Sequence, residues 1–126
     1  MHKSRLAGFI IDCQTADLST AAVFWGNALG MAVHALPGAE GEKYVQLVDP
    51  LDELHVEVQS VAHPSRVHLD IETDDIEAEV RRLETLGAKR VHQVSTWWVM
   101  AAPTGQRFCV VKVQSQRFGE RAREWQ

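Results

Sequence analysis

The chain of 126 residues has no long apolar run, and nothing in it approaches the roughly 20 uncharged residues that a membrane-crossing helix needs. It also lacks a basic excess. With 13 Lys and Arg against 17 Asp and Glu the net charge is −4, so a nucleic-acid groove, which requires a basic stripe, is not expected. The one basic-rich stretch, Arg117 to Arg123, is interrupted by Glu120, is followed by Glu124, and reads as a solvated tail. Cysteine is scarce: Cys13 and Cys109 each fall in an apparent strand, and reduced, buried thiols are the plainer reading, which points to the cytoplasm. The opening Met1-His2-Lys3-Ser4-Arg5 leads into only a short apolar stretch before Asp12, so no secretory signal is expected. The glycines stand singly at turns and helix ends. No phosphate loop, dinucleotide fingerprint or nucleophile elbow occurs.

What remains is the composition of an ordinary folded domain, 45% apolar and 24% charged. At this length roughly two-thirds of the unfolded surface is buried on folding, so neither a disulfide nor a structural metal is required. Leu6 to Cys13 reads as a strand. Thr15 or Asp17 can cap a helix carrying Ala21, Phe24, Trp25, Ala28 and Leu29 at helical spacing, and Gly30 stops it. Strands are expected at Met31 to Ala35, Lys43 to Val48 and Leu54 to Val61, broken by Pro37-Gly38 and Asp49-Pro50. The order then repeats. Arg66 to Glu72 alternates strictly, Thr73 and Asp74 offer caps, and Ile76, Val80, Leu83 and Leu86 line a helix ended by Gly87. Strands follow at Lys89 to Val94, Thr96 to Ala101 and Arg107 to Val113, the last two joined by a turn at Pro103-Thr104-Gly105-Gln106. Asp17 and Asp74 are as far apart as Leu29-Gly30 and Leu86-Gly87, the mark that duplication of one supersecondary unit would leave.

Several stretches carry a family resemblance. Ala22-Val23-Phe24-Trp25 with Ala28-Leu29-Gly30 resembles the first-helix signature of glyoxalase-like domains, and Arg66-Val67-His68-Leu69-Asp70 resembles their fifth strand. Leu86-Gly87-Ala88 and the run from Ala102-Pro103 to Phe108-Cys109 resemble the second helix end and the last hairpin. The sequence is thus similar to the vicinal oxygen chelate superfamily, which groups glyoxalases, bleomycin-resistance proteins and dioxygenases. The resemblance implies an α+β fold: two βαβββ modules forming a curved eight-stranded mixed sheet, helices on its convex face and a small-molecule pocket in its hollow. The modules would span residues 6–61 and 66–114, within a domain of residues 6–114, ahead of a charged C-terminal tail, residues 115–126. It further implies a homodimer, leaving open whether the pocket forms within one chain or across two. No nucleic-acid or membrane partner is implied.

Strand alternation says which side chains would line that pocket. In the fifth strand Val67, Leu69 and Ile71 should pack on a helix, leaving His68, Asp70 and Glu72 on the open face. Likewise Leu54, Val56 and Val58 should pack while Glu57, Gln59 and His55 face the hollow. In the last strand Phe108 and Val110 pack and Cys109 faces the pocket, where pairing across the hairpin is expected to bring Trp98 and Met100. A large aromatic and a thioether there would suit a flat or apolar ligand. Trp25 is expected in the core and Trp125 as a surface or interface anchor.

In metal-dependent members of the superfamily four ligands come from the first and last strand of each module. Here His68 matches the third, Glu57 or Gln59 the second, and Cys109 stands at the fourth, normally Glu. The first falls on Ile10 or Ile11, which cannot ligate; Asp12 is the nearest substitute. A divalent metal therefore stays open as a cofactor, with His68 and Glu57 its candidate ligands and an incomplete quartet. Without metal, His68 beside Asp70 or Glu57 would offer a general acid or base, and Cys109 a thiol nucleophile. Three functions follow: a small-molecule protein without the full quartet, a metal-dependent lyase, isomerase or dioxygenase, and a drug- or metabolite-sequestering binder.

Overall fold

Asp17 is the N-cap of the first helix, its carboxylate accepting from the Thr20 amide and hydroxyl at 3.1 and 2.7 Å. Gly30, at φ 70°, closes that helix in the left-handed conformation that a side chain disfavours. The computed structural model describes residues 1–126 and has the element order β1 (His2–Gln14), α1 (Leu18–Leu29), β2 (Ala32–Ala35), β3 (Tyr44–Val48), β4 (His55–Val61), β5 (Arg66–Thr73), α2 (Ile76–Thr85), β6 (Lys89–Val94), β7 (Trp97–Ala101), β8 (Arg107–Lys112), α3 (Phe118–Arg121) and β9 (Arg123–Trp125). The class is α+β, and the sheet is mixed with nine strands, one more than expected. No helix is long and apolar enough to cross a membrane.

The chain forms two compact units, residues 9–67 and residues 1–8 with 68–126, so β1 contributes to both. In the first unit the hydrogen-bonded order is β2-β3-β4-β1. Its core joins Ile11, Leu47, Val56 and Val58 to Trp25, Leu18, Ala21 and Phe9 beneath α1. Trp25 and the Val56/Val58 pair pack as their periodicity predicts, whereas Leu54 lies just ahead of β4 and is partly exposed. Gly26 faces this core so closely that a Cβ there would stand 2.9 Å from the Met31 carbonyl oxygen and 3.0 Å from Val33 Cγ2. Gly26→Ala is accordingly expected to lower stability by about 1–3 kcal/mol, despite alanine's better helix propensity. Urea unfolding of the variant checks this; an unchanged midpoint would show that α1 can shift away.

In the second unit the order is β5-β8-β7-β6, with β5 parallel to β8 and β9 antiparallel to the start of β1. The core beneath α2 comprises Val80, Leu83, Met100 and Val110, with Ile71, Ile76, Trp98 and Phe108 against it. Four expectations change here. The cap of α2 is Asp75, accepting from the Ala78 amide at 3.1 Å, while Asp74 accepts from the Lys3 amide at 2.8 Å. Val67 and Leu69 stay 56% and 52% exposed, because α2 lies over β6, β7 and β8 and leaves the start of β5 bare. Glu72 shares the side of Asp70 but is fully buried: it accepts from the Gln114 and Ser115 amides at 2.6 and 3.0 Å and from the Ser115 hydroxyl at 2.9 Å.

The fourth change concerns residues 115–126, which are not a solvated tail. Phe118 is buried in α3, and His2, Lys3 and Ser4 pair with Trp125, Glu124 and Arg123. Trp125 donates its indole N–H to Ser4 Oγ at 2.8 Å, and the Arg82 guanidinium lies 3.8 Å over its ring. Arg82 in turn holds Glu79 through two bonds of 2.9 Å, and Glu79 meets His2 Nε2 at 2.7 Å. Burial alone would push the Glu79 carboxyl up, but its bonds from Arg82, His2 and Ser4 and the Arg82 charge hold it below the ordinary carboxylate range.

Candidate functional site

Alternation along β5 sends His68 and Asp70 to the side opposite Ile71, and Ile71 belongs to the α2 core. Parallel pairing of β5 with β8 sets Asp70 against Cys109, so β8 adds its thiol to the same side. The side-chain donor atoms of His68, Asp70 and Cys109 all lie within 4.8 Å of one another. His68 Nε2 stands 3.5 Å from Asp70 Oδ1 without a hydrogen bond, for Asp70 Oδ1 is buried and accepts none. Asp70 is 5% exposed and Cys109 7%, whereas His68 is only partly covered. A buried carboxylate oxygen without a donor is costly, and such atoms are rare enough to call for a reason.

Trp98 and Met100 do not join this group. The β7–β8 ladder pairs Trp98 with Val110, Val99 with Cys109 and Met100 with Phe108, which puts Trp98 and fully buried Met100 in the α2 core. The loop joining the two strands runs from Ala102 to Gln106, closed by Ala102 N–H to Gln106 O at 2.8 Å, with Gly105 at φ 93°. It is one residue longer than a turn confined to Pro103–Gln106. That single residue moves every side chain of β7 to the opposite face. Val99, paired with Cys109, and Trp97 and Ala101, two positions to either side of it, are therefore the β7 residues on the His68 side. No residue-type signal marks them; only the loop length could have.

The remaining candidates lie in the first unit. Glu57 is 8% exposed, pairs across β3 with Gln46, and has its carboxylate 3.5 Å from His55 Nε2. Gln59 donates to the Tyr44 hydroxyl at 2.9 Å. Cys13 packs near α1; burial first, and the neighbouring Asp12 charge, push its thiol up against a weaker opposing bond from Trp25. Both cysteines are free.

With this geometry in place, the comparison with known families is decisive for the scaffold. The glyoxalase-like domain model matches residues 8–111, nearly the whole chain. The protein belongs to the glyoxalase-like domain family. No curated protein matches it. Among solved structures, a hypothetical protein from Bacillus halodurans C-125 is similar with a TM-score of 0.62 at 12% identity, covering 90% of this chain and 98% of that one. Methylmalonyl-CoA epimerase from Mycobacterium tuberculosis gives 0.58 at 15% identity, covering 86% and 90%. NAD-dependent benzaldehyde dehydrogenase from Legionella pneumophila gives 0.59 at 9% identity, covering 83% and 99%. At such identities the likeness speaks for the fold alone.

The metal quartet of the glyoxalase-like family does not fit this chain. Ile10 and Ile11, at the first position, are both buried aliphatics, and Ile11 packs in the α1 core. Asp12, on the same strand, is buried with Arg66 Nε 3.8 Å from its carboxylate. The fourth position holds a thiol. No chemical step is derived through that quartet.

Proposed function

We propose that this glyoxalase-like protein binds a small organic molecule over the His68–Asp70–Cys109 cluster, on the side of β5 and β8 turned away from α2. The observation that carries the reading is the buried carboxylate of Asp70 held beside a partly covered imidazole. His68 is the group a ligand can reach. Asp70, 3.5 Å behind it, fixes the orientation of the imidazole, and Cys109 forms the floor. Trp97 and Val99 replace Trp98 and Met100 as the apolar lining, so a flat or apolar body with one polar group suits the site.

Such a centre serves either proton transfer at a carbon next to a carbonyl or simple sequestration. The epimerase relatives make thioesters worth including among the probes. A thermal-shift screen with aromatic carboxylates, 2-oxo acids, acyl-CoA thioesters and glycopeptide antibiotics tests the reading. A hit is expected to weaken at least tenfold in His68→Ala and to survive Glu57→Gln; a hit indifferent to His68→Ala would move the site elsewhere. Chemical conversion of a bound compound by the wild type, abolished in His68→Ala even at saturating compound, identifies an enzyme, while a bound but unchanged wild-type ligand identifies a sequestering protein. Two free thiols suit a cytoplasmic setting, and exposed Val67 and Leu69 support a homodimer, which sedimentation checks.

A further inference from the structure

We infer that His68, Asp70 and Cys109 form a three-ligand site for a soft divalent cation of the zinc class, contained within one unit of the fold. The inference rests on the same cluster as the proposed ligand site but does not need an organic ligand. It departs from the family quartet: the first position is aliphatic, a thiol stands at the fourth in place of Glu, and a carboxylate two residues beyond the histidine is recruited.

Three observations carry it. First, the donor set is one imidazole, one carboxylate and one thiol, with their ligand atoms within 4.8 Å of one another. Around a tetrahedral zinc ion, with bonds of about 2.0–2.3 Å, ligand atoms stand roughly 3.3–3.8 Å apart. The His68–Asp70 separation of 3.5 Å already meets that spacing, and the thiol needs to move by at most about 1 Å. Second, Asp70 Oδ1 is buried and accepts no hydrogen bond, although Asp70 itself is 5% exposed. A cation supplies what the fold withholds from that oxygen. Third, the backbone fixes the set: His68 and Asp70 sit on one face of β5, and parallel pairing with β8 places Cys109 opposite Asp70.

The chemistry selects the ion. On binding, the thiol gives its proton to solvent, so thiolate and carboxylate together offset the two positive charges of the ion. A thiolate disfavours magnesium and calcium, which prefer oxygen ligands, and favours zinc, cobalt or nickel. Three protein ligands leave a fourth position on the partly covered His68 side for water or a ligand's oxygen.

Cobalt(II) titration of reduced, chelator-stripped protein tests this. One cobalt per chain is expected, with a near-ultraviolet thiolate-to-cobalt charge-transfer band. Cys109→Ser should abolish the band and Asp70→Asn should weaken binding at least tenfold, whereas Cys13→Ser should change neither. Zinc should displace cobalt and raise the melting temperature by several degrees, and magnesium should not. Far-UV circular dichroism confirms that each variant is folded. Absence of the band in folded wild-type protein, or its loss in Cys13→Ser in place of Cys109→Ser, overturns the inference. An organic ligand that binds stripped protein with no cobalt band leaves the small-molecule reading standing alone; the band without any organic ligand does the reverse.

Discussion

Glu79→Ala is expected to destabilise the protein by about 3 kcal/mol, within the range for removing one partner of a buried ion pair. The side chain is fully buried, accepts two bonds of 2.9 Å from Arg82 and one contact of 2.7 Å from His2, and through Arg82 reaches the ring of Trp125. Removing it leaves a guanidinium three-quarters covered with no counter-charge and loosens the contact between β1 and β9. For a chain of this size that is a drop of roughly 10 °C in melting temperature. The pH dependence has a definite sign. The carboxyl titrates below its ordinary value in the folded state, so its stabilisation is complete above about pH 4.3, its unfolded range, and is lost as pH falls through the folded value. Urea midpoints from pH 3 to 7 should therefore fall more steeply on the acid side for wild type than for Glu79→Gln. Parallel curves would mean that the network does not hold the C-terminal segment.

The second large effect separates the two faces of β7. Met100→Ala is expected to cost about 2–5 kcal/mol, since Met100 is fully buried among Val80, Leu83 and Val110. Binding of cobalt or of an organic probe at His68 should nevertheless persist in the folded fraction, within about threefold. Val99→Ala, by contrast, should cost little stability and alter the affinity of an organic probe. If Met100→Ala spared stability and removed binding, the register read from Val99 and Cys109 would be wrong by one residue.

Much of this protein was legible before any coordinates. Period-two alternation assigned Phe108 and Val110 to the packed side and Cys109 to the other, and the same rule separated Ile71 from His68 and Asp70. These are local consequences of strand geometry, and one strand suffices to state them. The helix stop at Gly30 and the Asp17 cap are equally local. Trp98 and Met100 went to the wrong face because their side depends on the loop after them, and the loop closes at Ala102, not at Pro103. Val67 and Leu69 keep the correct side of β5, yet no helix reaches them. The C-terminal segment has the composition of a solvated tail because Arg and Glu dominate it; its three anchors are a buried Phe118, an indole bonded to Ser4, and a ladder with β1.

The sequence by itself determined most strands and helices and which side chains share a face along each strand, because propensity, alternation and capping act within a few residues, and its motifs carry the resemblance to glyoxalase-like domains. Only the tertiary structure decided which strands meet, and in what register. That pairing joins Cys109 to Asp70 across β5 and β8, turns Trp98 under α2, and ties Trp125 to Ser4. Contacts between residues dozens of positions apart are set by loop lengths and by the packing of the whole unit, and no local pattern records them.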